Sequence, residues 1–177
     1  MKYILILFCC TTGMLSAQQT PFTWKEFVVG SPAMSIVVPG ILIPQDAELP
    51  QNVAAYMKKY EAYYLKDEPH GMVITLMHLT YAGDIVADLA GAANGTLYQW
   101  EATGAKIEVQ TFTKLLTAGK NSVLQKGLFN IDGKQSIFTN LVIGDGASIW
   151  QIAMIVPSKD ETMSTTMNRM YDSIRFK

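Results

Sequence analysis

Cysteine is nearly absent from this 177-residue sequence. Its only two cysteines, Cys9 and Cys10, both lie within the first ten residues. The chain after residue 10 therefore has no disulfide, no thiol nucleophile and no cysteine metal ligand. Histidine is also scarce, with only His70 and His78. These two absences leave little material for a metal centre or for cysteine-based catalysis.

Neither sign of charge dominates. Fourteen lysines and arginines stand against fifteen aspartates and glutamates, for a formal net charge of -1 at pH 7. The longest basic run, Lys58-Lys59, has two residues, so the sequence has neither the basic patch of a nucleic-acid-binding protein nor a polybasic membrane anchor. Hydrophobic residues make up 49% of the chain, which favours a folded globular protein over a disordered one.

Motifs for catalysis and for cofactor binding are missing as well. The sequence contains no G-x-S-x-G nucleophile elbow. Gly119-Lys120 is followed by Asn121 and lacks the earlier glycine of a phosphate-binding loop. We therefore predict no cofactor and assign no catalytic residue.

The first residues have the organisation of a secretory signal peptide. Lys2 is followed by an apolar stretch from Tyr3 to Cys10, and Leu15-Ser16-Ala17 ends in the small residue that signal peptidase accepts. The apolar stretch is too short to span a membrane. We predict a signal peptide over 1–17, a loose leader over 18–23, and a periplasmic or secreted protein.

Lipid anchoring on Cys9 or Cys10 is a minor alternative to this processing. Cys9 follows the bulky Phe8, whereas a lipoprotein signal has a small residue before the cysteine. Cleavage after Ala17 leaves 160 residues, which is enough for one hydrophobic core. No linker or repeat divides them, so we predict a single domain over 24–177.

The hydrophobic pattern predicts mostly strands. Short apolar or alternating runs bounded by turn residues predict strands over 24–29, 34–38, 60–66, 72–81, 106–115, 122–131, 135–143 and 148–156. Asp132-Gly133 and Asp145-Gly146 occur where hairpin turns need positive φ. Residues 39–50 carry three prolines and predict a loop, and residues 51–58 fit either a helix or a strand, with a helical turn favoured.

Two helices complete the prediction. Asp84 is a candidate N-cap for a helix over 85–101 that is rich in alanine and glycine. A second helix is predicted over 159–174, with Met163, Met167, Met170 and Ile174 on one face. The fold class is therefore α+β, an antiparallel sheet of about six to seven strands covered by two main helices.

This layout resembles the PsbP-like superfamily, which is named for a photosystem subunit and shared by a nuclear-import factor that binds the GTPase Ran. The similar features are the strand that ends in Ile36-Val37-Val38-Pro39-Gly40, the tyrosine-rich hairpin over 60–81, the small-residue helix, the four-stranded meander and the helix that ends near Asp172-Ser173-Ile174. The resemblance implies an α/β/α sandwich with binding or assembly roles. It carries no functional residue over to this chain.

Tyrosines are the candidate binding residues. Tyr60 and Tyr64 share a strand face that Tyr63 cannot share, so at least one of these rings points away from the core or lies at an edge. An exposed tyrosine suits protein contacts, because its ring is large, amphipathic and has few rotamers. We predict that Tyr60, Tyr63 and Tyr64 contribute to a binding surface.

The two histidines have modest predicted roles. His70 follows Asp67, Glu68 and Pro69 at a predicted hairpin tip, and we include it among the candidate binding residues. A metal site there is an alternative that would need three convergent ligands. His78 lies within an apolar strand, where a hydrogen-bonded and partly buried imidazole is the favoured interpretation.

We predict an exported, non-catalytic binding or accessory module whose partner is another envelope protein. One alternative is a module that binds a small ligand or a lipid between the helix over 85–101 and the sheet. Another is a small hydrolytic enzyme that uses His78 with a carboxylate, which would require a solvent-accessible His78. Neither nucleic acid nor a membrane span is predicted.

Overall fold

The structure, a computed structural model, describes residues 21–46, 54–83, 85–157 and 161–177, except for the side chains of 161–163. The predicted signal peptide, part of the leader and Asp84 lie outside the described residues. The helices are α1 (Leu89–Ala102) and α2 (Glu161–Asp172). The strands are β1 (Lys25–Val29), β2 (Met34–Val38), β3 (Ile43–Pro44), β4 (Met57–Asp67), β5 (Met72–Tyr81), β6 (Lys106–Thr117), β7 (Lys120–Ile131), β8 (Lys134–Asp145), β9 (Ser148–Pro157) and β10 (Arg175–Phe176).

The strands form two antiparallel sheets. The large sheet has seven strands in the order β3-β4-β5-β9-β8-β7-β6, and the small sheet has three in the order β1-β2-β10. Tight turns with positive φ join the strands of the meander, at Asp132-Gly133 between β7 and β8 and at Gly146 between β8 and β9. The prediction of an α+β fold with a six- to seven-stranded antiparallel sheet is confirmed.

The two faces of the large sheet are covered over different strands. Helix α1 packs over β6, β7 and β8 on one face. The small sheet and α2 cover the other face, where their apolar residues form one core with residues of β4, β5, β8 and β9. On the α1 face, β3 and β4 therefore lie beyond the helix.

The largest core lies between the large sheet and the layer formed by the small sheet and α2. Its fully buried side chains include Met34 and Ile36 of β2, Trp150 of β9 and Met170 of α2. The predicted apolar face of the last helix is confirmed for Met167 and Met170, whereas Ile174 lies in the same core after the helix ends at Asp172, and Met163 has no described side chain.

Several predicted boundaries are wrong. Helix α1 begins at Leu89 rather than at 85, because the Asp88 carboxylate caps it by accepting a hydrogen bond from the Gly91 N–H at 3.0 Å. Strand β4 begins at Met57, so the helical turn favoured over 51–58 is limited, among the described residues, to Ala54. The predicted loop over 39–50 contains β3, which pairs with Tyr63 and Tyr64 of β4.

Candidate binding surface

The tyrosines of β4 alternate between the two faces of the large sheet. Tyr63 points toward the large core and meets the Phe27 ring edge-on, with 4.7 Å between ring centroids. Tyr60 and Tyr64 point to the α1 face, where Tyr64 is 38% exposed. The three predicted tyrosines therefore do not share one face of the sheet, although Tyr60 and Tyr63 both line a surface cavity of about 300 Å³ beside Pro44.

On the α1 face, an exposed apolar surface forms around Tyr64. Ile43 of β3 lies directly opposite Tyr64 in the antiparallel register and is 50% exposed. Directly opposite residues of an antiparallel pair share a face, so the two side chains are neighbours. Tyr60 lies four residues before Tyr64 on the same face. Ile43, Tyr60 and Tyr64 are called the tyrosine surface below.

Tyr60 is held in place more firmly than Tyr64. Its hydroxyl donates to the Met77 sulfur at 3.5 Å, and burial raises the pKa of its phenol above the ordinary value. The phenol therefore stays neutral over the physiological range. Tyr60 thus supports one side of the tyrosine surface, and Tyr64 and Ile43 present its accessible part.

His78 is not accessible to solvent, as a catalytic role for it would require. Its Nδ1 atom is 3.1 Å from Glu61 Oε2, its Nε2 atom is 3.5 Å from the Thr80 hydroxyl, and that hydroxyl is 3.1 Å from the Ser148 hydroxyl. An acid, an imidazole and two hydroxyls thus lie in series. The His78 side chain, however, is fully buried and packs on the Trp150 ring, so a substrate cannot reach it.

At the tip of the β4–β5 hairpin, His70 pairs with one carboxylate only. Its Nδ1 atom lies 2.8 Å from Asp67 Oδ2, and its backbone N–H donates to Asp67 Oδ1 at 3.3 Å. Glu68 instead forms an ion pair with Lys66. Within the described ranges no three metal-ligating side chains converge.

The space between α1 and the sheet is occupied by a chain of side-chain amides rather than by a cavity. Asn140 Nδ2 donates to the Ala93 carbonyl oxygen at 3.0 Å and to Gln125 Oε1 at 3.1 Å. Gln151 Nε2 donates to Asn140 Oδ1 at 2.8 Å and to the Thr96 hydroxyl at 2.6 Å. A surface cavity of about 280 Å³ opens beside the first turn of α1, whereas side chains fill the described space beneath the middle of the helix and leave no room there for a ligand.

Two features of the α1 side are not evident from the sequence. Asn94 accepts a hydrogen bond from Gln125, and Thr96 accepts one from Gln151. The sequence does contain a signal for these hydrogen bonds, because side-chain amides within the apolar strands β7, β8 and β9 need hydrogen-bond partners when they are buried. Ile43 was missed because it lies in a segment with three prolines.

Comparison with solved structures shows that the chain shares its fold with cyanobacterial PsbP, LpqN and Mog1p. The chain superimposes on the solution structure of cyanobacterial PsbP (CyanoP) from Synechocystis sp. with a TM-score of 0.60 and 6% identity, covering 89% of this chain and 95% of the other. The crystal structure of LpqN, involved in cell envelope biogenesis of Mycobacterium tuberculosis, superimposes with a TM-score of 0.57 and 18% identity, covering 87% of this chain and 91% of the other.

The Saccharomyces cerevisiae Ran-binding protein Mog1p gives a TM-score of 0.50 and 14% identity, over 88% of this chain and 96% of the other. At these identities the likeness shows the fold alone. No protein-family model matches the chain, and no curated protein sequence is significantly similar to it. In the described part of the chain, neither helix has the length and hydropathy needed to cross a membrane.

Proposed function

We propose that the chain is an exported, non-catalytic module that binds another envelope protein through the tyrosine surface. The observation that carries the proposal is the exposure of Tyr64 and Ile43 side by side on a rigid sheet. Scattered single apolar residues are common on protein surfaces, but a neighbouring pair with an aromatic ring suits a contact site.

The strands favour recognition by this surface. Tyr64 is fixed between β3 and β5 and has two rotatable bonds, so little conformational entropy is lost when a partner covers it. Tyr60, four residues before Tyr64 on the same face, keeps its hydroxyl on Met77. A central aromatic anchor of this kind typically contributes 2 kcal/mol or more, which is roughly a 30-fold change in affinity.

The similar folds support a binding role without defining the partner. LpqN is described as involved in cell envelope biogenesis and Mog1p as Ran-binding. Neither name describes catalysis, and the buried His78 of this chain offers no accessible base. An envelope partner is favoured here by the predicted signal peptide over 1–17.

Export has its own test. We expect the intact mass of the protein from the native envelope to correspond to a chain that begins at Gln18, with or without pyroglutamate. A mass that includes Cys10 with acyl chains would replace this proposal with the lipoprotein alternative.

The binding surface is tested by a photocrosslinking amino acid placed at position 64 or at position 98 and irradiated in the native envelope. Tyr98 is the matched control, because it is a tyrosine on α1 that is 68% exposed. We expect a discrete crosslinked partner from position 64 only. The affinity of the purified partner should then fall roughly 30-fold for Tyr64→Ala and stay unchanged for Tyr98→Ala. Equal crosslinking from both positions, or unchanged affinity of Tyr64→Ala, would contradict the proposal.

A further inference from the structure

A surface cavity lies at the tip of the β4–β5 hairpin and shares no lining residue with the tyrosine surface. Three chain segments line its volume of about 420 Å³, with Pro21, Phe22, Thr23 and Lys25 from the first, Pro39 to Ile41 from the second, and Asp67, Pro69 and His70 from the third. This volume falls within the range of about 300–1,000 Å³ that is typical of small-molecule sites.

His70 is the most buried polar side chain of this wall and is held in one orientation. It is 8% exposed, and its ring lies against Phe22 with 4.2 Å between centroids. Asp67 anchors one ring nitrogen, Nδ1, at 2.8 Å. Among the described residues nothing bonds the second ring nitrogen, Nε2.

The partner of Nδ1 fixes the hydrogen-bonding character of Nε2. An ionised carboxylate can only accept, so Nδ1 carries the proton that points to Asp67. In the neutral ring, Nε2 is then an acceptor with a free lone pair. His70, which lines the cavity, therefore offers an accessible acceptor to a ligand that can donate a hydrogen bond.

Lys25 adds a donor to the same cavity. It is exposed and, within the described residues, forms no ion pair. Asp67 is already engaged by His70. One ligand oxygen that donates to His70 Nε2 and accepts from Lys25 Nζ would use both groups.

The remaining wall is apolar and stiff. Phe22, Ile41 and three prolines supply most of it, and Ile41 is 66% exposed. Proline side chains lose almost no conformational entropy when they are covered. Flat apolar walls next to an aromatic ring favour a planar ring as the body of the ligand.

We propose that this cavity binds a small phenol, with the hydroxyl donating to His70 Nε2 and accepting from Lys25, and with the ring against Phe22 and Pro39. This site is separate from the tyrosine surface and stands or falls independently of it. Phenol ethers and plain aromatic hydrocarbons share the apolar part but lack the donor.

The test is a nuclear magnetic resonance titration of the ¹⁵N-labelled protein with 4-ethylphenol, 4-ethylanisole and ethylbenzene. We expect 4-ethylphenol to shift the amide signals of Phe22, Gly40 and His70 and to bind at least tenfold more tightly than the other two. Equal affinities, or shifts confined to other regions, would overturn the proposal. Tenfold tighter binding of N-acetyltyrosinamide than of 4-ethylphenol would overturn the small-molecule assignment in favour of a peptide tyrosine.

The variant His70→Phe keeps a ring against Phe22 and removes the acceptor, so the preference for the phenol over its ether should disappear. Tyr64→Ala should keep that preference unchanged. The wild-type protein provides a readout that does not depend on the folding of the variant, namely the side-chain ¹⁵N signals of His70. They should show a proton on Nδ1 and a lone pair on Nε2, and the Nε2 signal should move on addition of 4-ethylphenol. A proton on Nε2 in place of Nδ1 would contradict the proposed hydrogen bond.

Discussion

The Nδ1 atom of His78 lies 3.1 Å from Glu61 Oε2 beneath the hairpin, and no part of the His78 side chain reaches solvent. Burial lowers the pKa of His78 below its ordinary value of 6.5, although the hydrogen bond and the charge of Glu61 act in the opposite direction. Lys59, which forms an ion pair with the same carboxylate at 3.0 Å, adds to the lowering. The folded protein therefore holds a neutral imidazole.

This relationship predicts how stability depends on pH. Above pH 6.5 His78 is neutral in both the folded and the unfolded state. As the pH falls below 6.5, the unfolded chain takes up the proton more readily than the folded one, so the free energy of unfolding decreases. The pKa of Glu61 is lowered from 4.5, so Glu61 stays ionised between pH 6.5 and 5. Urea unfolding at several pH values in that window measures the effect.

The matched variants for this measurement are His78→Gln and His70→Gln. We expect His78→Gln to be less stable at pH 7.5 and to lose much of the pH dependence, and His70→Gln to retain it. A wild-type free energy of unfolding that is constant from pH 7.5 to 5 would contradict the assignment.

Gly30 should resist substitution by alanine. Its φ of +88° favours glycine, and a Cβ atom there would lie 2.4 Å from Trp150 Nε1 and 2.8 Å from His78 Cδ2. Left-handed backbone costs about 1–2 kcal/mol for other residues, and the overlap adds about 1–3 kcal/mol. Gly133→Ala is the control, because Gly133 also has positive φ but a Cβ atom there would have no neighbour within 4 Å. A loss for Gly30→Ala no larger than that for Gly133→Ala would show that the contact with Trp150 is unimportant.

Tyr63 and Tyr64 are adjacent in sequence but should differ in their contribution to stability. Tyr63→Ala removes the edge-on contact with Phe27 and should cost about 2 kcal/mol of unfolding free energy. Tyr64→Ala truncates an exposed ring and should change it by about 0.5 kcal/mol. Urea denaturation of both variants checks this, and the reverse order would mean that the faces of β4 are misassigned.

The amides beneath α1 predict a graded set of losses. Asn140 is fully buried and bonds Ala93, Gln125 and Gln151. Asn140→Ala removes one hydrogen-bond partner from each of these groups within a buried network and should cost about 2–4 kcal/mol. Asn94→Ala at the exposed end of the chain of amides should cost about 1 kcal/mol or less, because water can replace Asn94. Thermal unfolding of both variants measures the difference between their losses of stability. Equal losses would show that the hydrogen bonds of Asn140 make no net contribution to stability.

Local sequence patterns predicted the parts of this fold that depend on neighbouring residues. The strand over 72–81 and the turn at Asp132-Gly133 were predicted correctly, because an apolar run and a turn signal are enough to specify them. The start of α1 was not, since the sequence pattern placed the N-cap at Asp84 rather than at Asp88. The structure distinguishes them through the Gly91 N–H, three residues after Asp88, which donates to the Asp88 carboxylate.

Contacts between residues far apart in the chain could not be predicted from local sequence patterns. The small sheet joins β2 to β10, a two-residue strand that begins at Arg175, and such a short segment carries no pattern of its own. At the tyrosine surface, alternation predicted that Tyr63 would differ from Tyr60 and Tyr64, but not which face is covered. That depends on where α1 packs, because the helix covers β6 to β8 and stops short of β4.

The amides beneath α1 also determine which helix can occupy this position. The surface that α1 turns toward the sheet combines small residues such as Ala93 with Leu97 and with Trp100, whose ring meets Phe129 and Phe138 edge-on, and a slide of one helical turn along this surface would be about 5.4 Å. Such a slide would take the Ala93 carbonyl and the Thr96 hydroxyl away from Asn140 and Gln151. These hydrogen bonds therefore fix the position of α1 along the sheet. A helix grafted from a similar fold would need acceptors at the same spacing to pack in the same position.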